Sequence, residues 1–334
     1  MSAFPYEVPE DLMAAIENAG RVLLATHENP DPDGLGSLVA LGLALAERGR
    51  HVARVSTGPL PEALADLPGV DRIEVADPDE RFDLGLLFDA HRRGRLGGAA
   101  PRLDAADRVL AIDHHPPGPE GSDCDDAWIV PDAPATAMLV LSVLRRMHDV
   151  PLGTEKASCL YAGLLTDTGG FQHANTTHDA LLAAADLVSL GADPAAIADR
   201  LMSRRRPQAV RLRGEALATT DYRLGGALAL MVVERELLER TGADLDDTEG
   251  LVSELTGVEG VRVAALLKQG ENGDWRVSLR SGDGTYVDGI ARRFGGGGHH
   301  RAAAFSTEAV GRDDVERELL EAVAAALDEA GDTR

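Results

Sequence analysis

The stretch Val22-Leu23-Leu24-Ala25-Thr26-His27-Glu28-Asn29-Pro30-Asp31-Pro32-Asp33-Gly34-Leu35-Gly36-Ser37 decides the fold. An apolar strand runs into a histidine, and two aspartates follow in a proline-stiffened loop. L-G-S-L-V-A-L-G-L-A-L-A-E-R then reads as a helix closed by Gly49. Two other strands end in the same way. Leu84-Gly85-Leu86-Leu87-Phe88 ends at Asp89, and Val109-Leu110-Ala111-Ile112 ends at Asp113-His114-His115. With H-V-A-R-V-S-T as a further strand and helices between, the pattern predicts an α/β domain whose parallel sheet is covered on both faces. Ligands of open α/β sheets bind outside the carboxyl ends of the strands. Three strand ends bearing Asp and His should therefore converge on a metal centre.

Downstream, helices are expected at about 134–148, 154–165, 178–190 and 194–205, with Thr177-His178-Asp179 and Asp193-Pro194 as starts. Residues 200–213 break the composition, because six arginines crowd together and Pro207 reads as interrupting any helix. A linker is placed at 199–214, between a domain at 1–198 and a smaller α/β domain at 215–334. In the second domain L-A-L-M-V-V reads as a strand and D-T-E-G-L-V-S-E-L as a helix. V-R-V-A-A-L-L-K-Q and D-W-R-V-S-L-R-S form a hairpin around Glu271-Asn272-Gly273, since Asn-Gly favours tight hairpin turns. V-D-G-I-A-R-R-F is a short helix running into the glycine-rich segment, and 312–330 is the closing helix.

The 334 residues fit two domains as a prior and suffice for a sizeable core. Apolar residues make up 44%, which excludes wholesale disorder, and aromatics only 4%, so the core should be aliphatic. The formal charge of −23 disfavours long duplex nucleic acid and anionic membranes as partners. Cys124 and Cys159 make no spacing motif, which fits a reduced, cytoplasmic protein. The N-terminus lacks the basic-then-apolar pattern of a signal peptide, and no apolar run approaches membrane-spanning length.

Chemistry concentrates in a few places. His27, Asp31 and Asp33 lie within seven positions, where Pro30 and Pro32 reduce the entropy cost of holding carboxylates together. The same loop also reads as turn and capping chemistry. Asp89 alone reads more readily as a strand-end cap, whereas adjacent histidines after Asp113 invite metal. Asp167, in Thr166-Asp167-Thr168-Gly169-Gly170, adds a carboxylate. Asp31, Asp33, Asp89 and Asp167 together carry the charge that balances two divalent cations, and without metal they would repel. Carboxylate and imidazole without thiolate suit Mn²⁺, with Mg²⁺ or Co²⁺ as alternatives. Two such ions would activate a water and hold a phosphoryl oxygen. Gly295-Gly296-Gly297-Gly298-His299-His300-Arg301 offers backbone N–H groups to an anion, with a following helix presenting its N-terminus, or else is a flexible loop. Arg280-Ser281, at a strand end, could serve the same anion. The 200–213 arginines line a cleft or form a solvated face paired with acids, and the second reading is favoured.

These motifs resemble the DHH phosphoesterases that carry a C-terminal DHH-associated domain, in the branch of nanoRNases and pAp phosphatases. H-E-N-P-D-P-D-G-L-G-S, F-D-A, I-D-H-H-P and T-D-T-G-G-F-Q-H-A-N-T-T resemble the catalytic-domain motifs in order. V-S-L-R-S and G-G-G-G-H-H-R-A-A-A resemble those of the associated domain. The match runs from about residue 20 to 305. The resemblance implies a doubly wound DHH domain joined by a linker to the smaller substrate-binding domain. It implies one metal on His27, Asp31 and Asp89, and a second on Asp33, Asp89, His114 and Asp167, with Asp89 bridging. Catalysis would then fall to Asp89, Asp113, His114 and His115, with His115 contacting phosphate and Asp113 orienting a histidine. Arg280, Ser281, His299 and Gly295 to Gly298 would grip the substrate's terminal phosphate from the other domain. The chain departs from the pattern at Ala304, where the family often has Gly.

The expected activity is hydrolysis of short oligoribonucleotides (pApA- or pGpG-like) to 5′-mononucleotides, together with removal of the 3′-phosphate of 3′-phosphoadenosine 5′-phosphate, at an interdomain cleft. Cyclic or linear dinucleotides are an alternative substrate. Inorganic pyrophosphatase and a catalytically silent nucleotide sensor are weaker readings. The family also makes a homodimer the expected assembly.

Overall fold

The structure is a computed structural model and describes residues 6–57, 60, 64–65, 67–73, 80–282, 285–308 and 311–331. The chain divides into two compact units, Met1–Arg204 and Arg205–Arg334.

In the first unit, β1 (Arg21–Thr26), β2 (His51–Val55), β3 (Leu84–Phe88), β4 (Val109–Asp113) and β5 (Asp126–Ile129) form an all-parallel sheet ordered β2-β1-β3-β4-β5. The period-2 alternation of side chains splits each central strand between two cores. Val22, Leu24, Leu86, Phe88, Leu110 and Ile112 face one, while Leu23, Ala25, Leu87, Val109 and Ala111 face the other. The first core is closed by α1 (Glu10–Asn18), α2 (Pro32–Glu47), α3 (Thr136–Arg146), α4 (Gly153–Asp167) and α5 (His178–Ser189). The second is covered by a 3₁₀-type run at Arg93–Ala105, where Pro101 and the left-handed Gly97 (φ 54°) rule out a regular α-helix. The chain steps from β1 to β2 on one side and then to β3 on the other, so the loops after β1 and β3 diverge. That reversal is where α/β sheets open a crevice.

The expected strands and helices of this unit are present. β5 escaped the reading, because D-A-W-I is short and only partly buried. Gly34 and Gly36 are not turn residues. Both lie inside α2, where an added methyl at Gly36 would sit 2.3 Å from the Cys159 carbonyl oxygen of α4. Gly36 allows α2 to cross α4 closely, whereas Gly34 makes room for Thr26 of β1, whose Oγ1 an added methyl would meet at 2.2 Å.

The boundary between the two units, at Arg204/Arg205, falls inside the expected linker at 199–214, but Pro207 does not interrupt a helix there. After α6 (Pro194–Ala198) comes one π-type turn, Asp199–Ser203, and Pro207 opens α7 (Pro207–Ala218). Proline is at home there, because the first helical turn needs no N–H from it and its φ is already helical. The arginines behave as a solvated face. Arg204 pairs with Asp199, Arg206 with Asp244 and Asp247, and Arg213 with Glu254.

The second unit carries β6 (Asp221–Arg223), β7 (Leu228–Val233), β8 (Val263–Gln269), β9 (Trp275–Ser281), β10 (Gly297–His299) and β11 (Ala302–Thr307) in one sheet ordered β10-β11-β9-β8-β7-β6. Only β7 and β8 pair in parallel. The expected hairpin is β8–β9, with Gly273 left-handed at φ 80°. The expected D-T-E-G-L-V-S-E-L helix shrinks to α9 (Leu251–Leu255), because Gly250 turns left-handed at φ 77° before it. α8 (Arg235–Thr241) follows β7.

One sheet face, with Leu267, Val277, Leu279, Ala303 and Phe305, is sealed by α10 (Asp288–Arg293) and α11 (Arg312–Gly331). The opposite face of β7 and β8 packs against α7, α8 and α9. Farther along that face, Arg276, Ser278 and Arg280 of β9 stand beside Ser306, Ala304 and Ala302 of β11, all half-buried or exposed.

Candidate metal centre

Five chain segments deliver the expected ligands to the carboxyl edge of the first sheet. His27 follows β1, Asp31 caps α2, Asp33 lies in its first turn, Asp89 follows β3, and Asp113-His114-His115 closes β4. Asp167 ends α4. His27, Asp31 and Asp89 form one group whose donor atoms all lie within 4.8 Å of one another, and Asp33, His114 and Asp167 form a second.

The imidazoles are oriented from behind. His27 Nδ1 lies 2.9 Å from the Glu28 carbonyl and His114 Nδ1 3.0 Å from the Ala133 carbonyl. A carbonyl only accepts, so Nδ1 carries the proton and Nε2 is aimed at the carboxylates. His27 Nε2 stands 3.4 Å from Asp89 Oδ2 and 3.8 Å from Asp31 Oδ1. His114 Nε2 stands 3.1 Å from Asp167 Oδ2, 3.5 Å from Asp89 Oδ1 and 3.9 Å from Asp33 Oδ2. Asp89 therefore turns one oxygen to each group. Its backbone is left-handed, at φ 56°, a strained conformation for a non-glycine residue held at the sheet edge.

The carboxylates are held as firmly. Asp31 Oδ1 accepts from Asp33 N at 3.0 Å and Gly34 N at 2.9 Å, so the capping role coexists with its place in the centre. Asp33 accepts from Thr136 N at 2.7 Å and Ala137 N at 2.8 Å, at the N-terminus of α3. Gly163 permits this approach, since a methyl there would meet Asp33 Oδ1 at 2.6 Å.

Sequence reasoning missed three supports. Thr136 Oγ1 donates to Asp89 Oδ1 at 3.0 Å. His91, buried two residues after Asp89, bonds Asp113 Oδ2 through Nδ1. Asn175 Nδ2 ties the Asp167 carbonyl (3.1 Å) to that of Pro134 (3.0 Å). His91 was visible as a histidine in F-D-A-H, but nothing marked Thr136. Asp113 is also hydrogen-bonded to His115. Its Oδ1 accepts from both the backbone N and the Nδ1 of His115, each at 2.9 Å.

Burial and charge compete over protonation in the centre. Burial opposes charge on the rings, yet carboxylates outweigh it. Asp31 and Asp89 raise His27 to about 10, Asp167 and Asp33 raise His114 to about 10, and Asp113 and Asp89 raise His115 to about 11. Burial likewise opposes the charge of Asp89, but His115 and His27 hold it well below the usual carboxylate range. Asp113, buried beside His115 and His91, falls to about 2. Burial, with Asp31 and Asp89 nearby, pushes Asp167 to about 6, and burial with Asp167 and Asp89 pushes Asp33 up. Without a cation, protons on His27 and His114 supply the positive charge that the carboxylates demand. A divalent cation would displace those protons, so its uptake is favoured as pH rises. The hard oxygen donors, oriented imidazoles and absence of thiolate fit ions of the Mn²⁺ or Mg²⁺ kind.

In the second unit the structure separates residues that the sequence had joined. Arg280 lies on the open face of β9, and burial lowers its pKa. Ser281 is buried on the other face, with its hydroxyl donated to the Thr285 carbonyl at 2.6 Å. The serine sharing the face of Arg280 is Ser278. The expected glycine cradle is also corrected. Gly295 N and Gly296 N donate to Arg292 O (3.0 Å) and Ala291 O (2.9 Å), closing α10, and Gly297–His299 is a strand paired with β11. No helix follows the glycines; β11 does. Glycine is needed because β10 approaches β11 closely: a methyl at Gly296 would lie 2.2 Å from the Ala304 carbonyl oxygen. The His299 side chain lies outside the described residues.

Comparison with known proteins agrees with this architecture. The profile of the DHH family N-terminal domain matches residues 21–164, and that of the DHHA1 domain matches 226–329. A bifunctional oligoribonuclease and PAP phosphatase of Thermus thermophilus is 33% identical over 324 residues, which is 96% of this chain and 94% of its own length. A cyclic-di-AMP phosphodiesterase of Listeria monocytogenes is 26% identical over 95% of this chain, but over only 49% of its own. The crystal structure of an exopolyphosphatase-related protein from Bacteroides fragilis shares the fold, with a TM-score of 0.85 at 24% identity over 93% of this chain and 95% of that one. With both profiles in order and a relative matched along nearly its whole length, the chain belongs to the DHH family and carries a C-terminal DHHA1 domain.

Proposed function

We propose that this chain is a metal-dependent phosphoesterase that hydrolyses short oligoribonucleotides such as pApA and pGpG to 5′-mononucleotides, and 3′-phosphoadenosine 5′-phosphate to AMP. The observation that carries this reading is the divided carboxylate of Asp89, with Oδ2 3.4 Å from His27 and Oδ1 3.5 Å from His114. In this reading His27, Asp31 and Asp89 hold one cation, and Asp33, Asp89, His114 and Asp167 hold the other, with manganese best suited. When bound, the pair supplies an activated water and neutralises phosphoryl charge. Asp113 fixes the ring of His115, whose charged form donates to a phosphate oxygen. Arg280 holds a terminal phosphate by charge-assisted hydrogen bonds. The glycines act by letting β10 close on β11, and Ser281 by fixing the loop after β9.

The Thermus relative is named for both activities and matches along nearly its full length, which supports the substrate class. The Listeria relative keeps cyclic dinucleotides as the second reading, and the chain spans about half of it. A homodimer belongs to the same proposal and is checked by sedimentation. The test is a manganese-dependent turnover assay with pApA, pGpG, longer RNA, 3′-phosphoadenosine 5′-phosphate, cyclic di-AMP and pyrophosphate. Short linear substrates should turn over, EDTA should abolish turnover, and activity should fall as pH drops and protons reclaim His27 and His114. Cleavage of pyrophosphate alone would overturn the proposal.

A further inference from the structure

A pair of aromatic rings stands where the segment leading into α10 meets the turn between β10 and β11. Tyr286 is 62% exposed, the most exposed large hydrophobic side chain among the described residues. Its ring lies 4.5 Å from that of His300, tilted by 33°. The chain has only 12 Phe, Tyr and Trp residues in 334. The pair is also built. Asp288, 3% exposed, accepts from His300 Nδ1 at 3.1 Å and pairs with Arg292, so His300 is fixed from below by a buried carboxylate. Val287 N donates to His300 O at 2.8 Å, which clamps the two chain segments together. Ser281 Oγ bonds Thr285 O at 2.6 Å, and Ser281 N bonds Arg301 O at 3.0 Å. Tyr286 and His300 are thus each one residue from a backbone atom tethered to the residue after Arg280.

Resting on the functional reading above, we propose that Tyr286, backed by His300, is the platform on which the nucleobase stacks when Arg280 holds the adjoining 5′-phosphate. A tyrosine face accepts any base, because every base presents a π-face, so the platform recognises nucleotides as a class and not one sequence. His300 covers one face of the ring and keeps it from rotating away, and the exposed face is left for the ligand. This gives the buried Ser281 and Asp288 a common role, which is to set the spacing between phosphate grip and ring.

The experiment compares binding of 5′-AMP and ribose 5-phosphate, which differ only in the base, to the manganese-loaded full chain by calorimetry. Hydrolysis of pApA is measured separately. AMP should bind about ten-fold or more tightly than ribose 5-phosphate. Tyr286→Ala should erase that ratio and Tyr286→Phe should keep it. Since Tyr286 is exposed, the fold is expected to survive its loss, and an unchanged melting temperature checks this. A Tyr286→Trp variant should show fluorescence quenching with AMP and not with ribose 5-phosphate. If pApA is hydrolysed but Tyr286→Ala keeps the full preference for AMP, the platform is wrong and the functional reading stands. If pApA is not hydrolysed but the preference is present and Tyr286-dependent, the functional reading is wrong and the platform stands. Equal binding of the two probes by the native chain would also overturn the platform.

Discussion

The carboxyl edge of the first sheet and the glycine-rich hairpin of the second unit are both marked by conspicuous sequence, but the two are built differently. At the sheet edge, charged residues sit where period-2 apolar strands stop, so their positions follow from the strands themselves. The six expected ligands, from His27 to Asp167, are gathered within two groups, and a third, of Asp89, His114 and His115, links them. In the hairpin, four glycines suggest an anion cradle, but two of the amides close α10 and the absent side chains make room for β11. A side chain that carries chemistry announces its use. A missing side chain announces only that something comes close, and sequence alone does not say whether that is a phosphate or a neighbouring strand.

The comparison divides labour between the units, and substitutions can break it. Among substitutions outside the proposed metal ligands, the largest effect is expected at Asp113. Asp113→Ala would take from His115 its nearer carboxylate, leaving Asp89 Oδ1 at 3.4 Å, and would remove the carboxylate that His91 bonds. Turnover of pApA should fall by about 100-fold in kcat, the scale seen when the groups that orient a metal centre are removed, with KM little changed; a raised KM with kcat unchanged would move Asp113 to substrate binding. Next comes Arg280→Ala, which should raise KM for phosphorylated dinucleotides by roughly 30-fold, the scale of a lost charge-assisted hydrogen bond, while metal content stays the same. An unchanged KM would place Arg280 outside the site. The smallest effect sharpens the glycine reading. Gly296→Ala should destabilise the second unit by about 2 kcal/mol through overpacking against Ala304 and Phe305, seen as a lower midpoint in denaturant. Native stability with weakened phosphate binding would restore the cradle.

The parallel sheet, its flanking helices and the ligand positions were legible because strand periodicity and strand-end aspartates are local signals. Other features depend on tertiary partners. Thr136 reaches Asp89 only because α3 starts beside β3, and His91 matters only because β4 places Asp113 next to it. Pro207 was misread as a breaker because a proline looks the same inside a helix and at its first residue. Ser281 was paired with Arg280 by adjacency, but neighbours on a strand face opposite ways. Tyr286 carried no motif, and its exposure emerges only from the packed loop.

The central claim is that Asp89 joins two cations, and metal stoichiometry tests it directly. Native protein dialysed against manganese at pH 8, then analysed by inductively coupled plasma mass spectrometry, should hold two equivalents per chain. Asp89→Ala should remain folded, hold one equivalent or fewer, and lose pApA hydrolysis. Two retained equivalents with turnover intact would contradict the bridge.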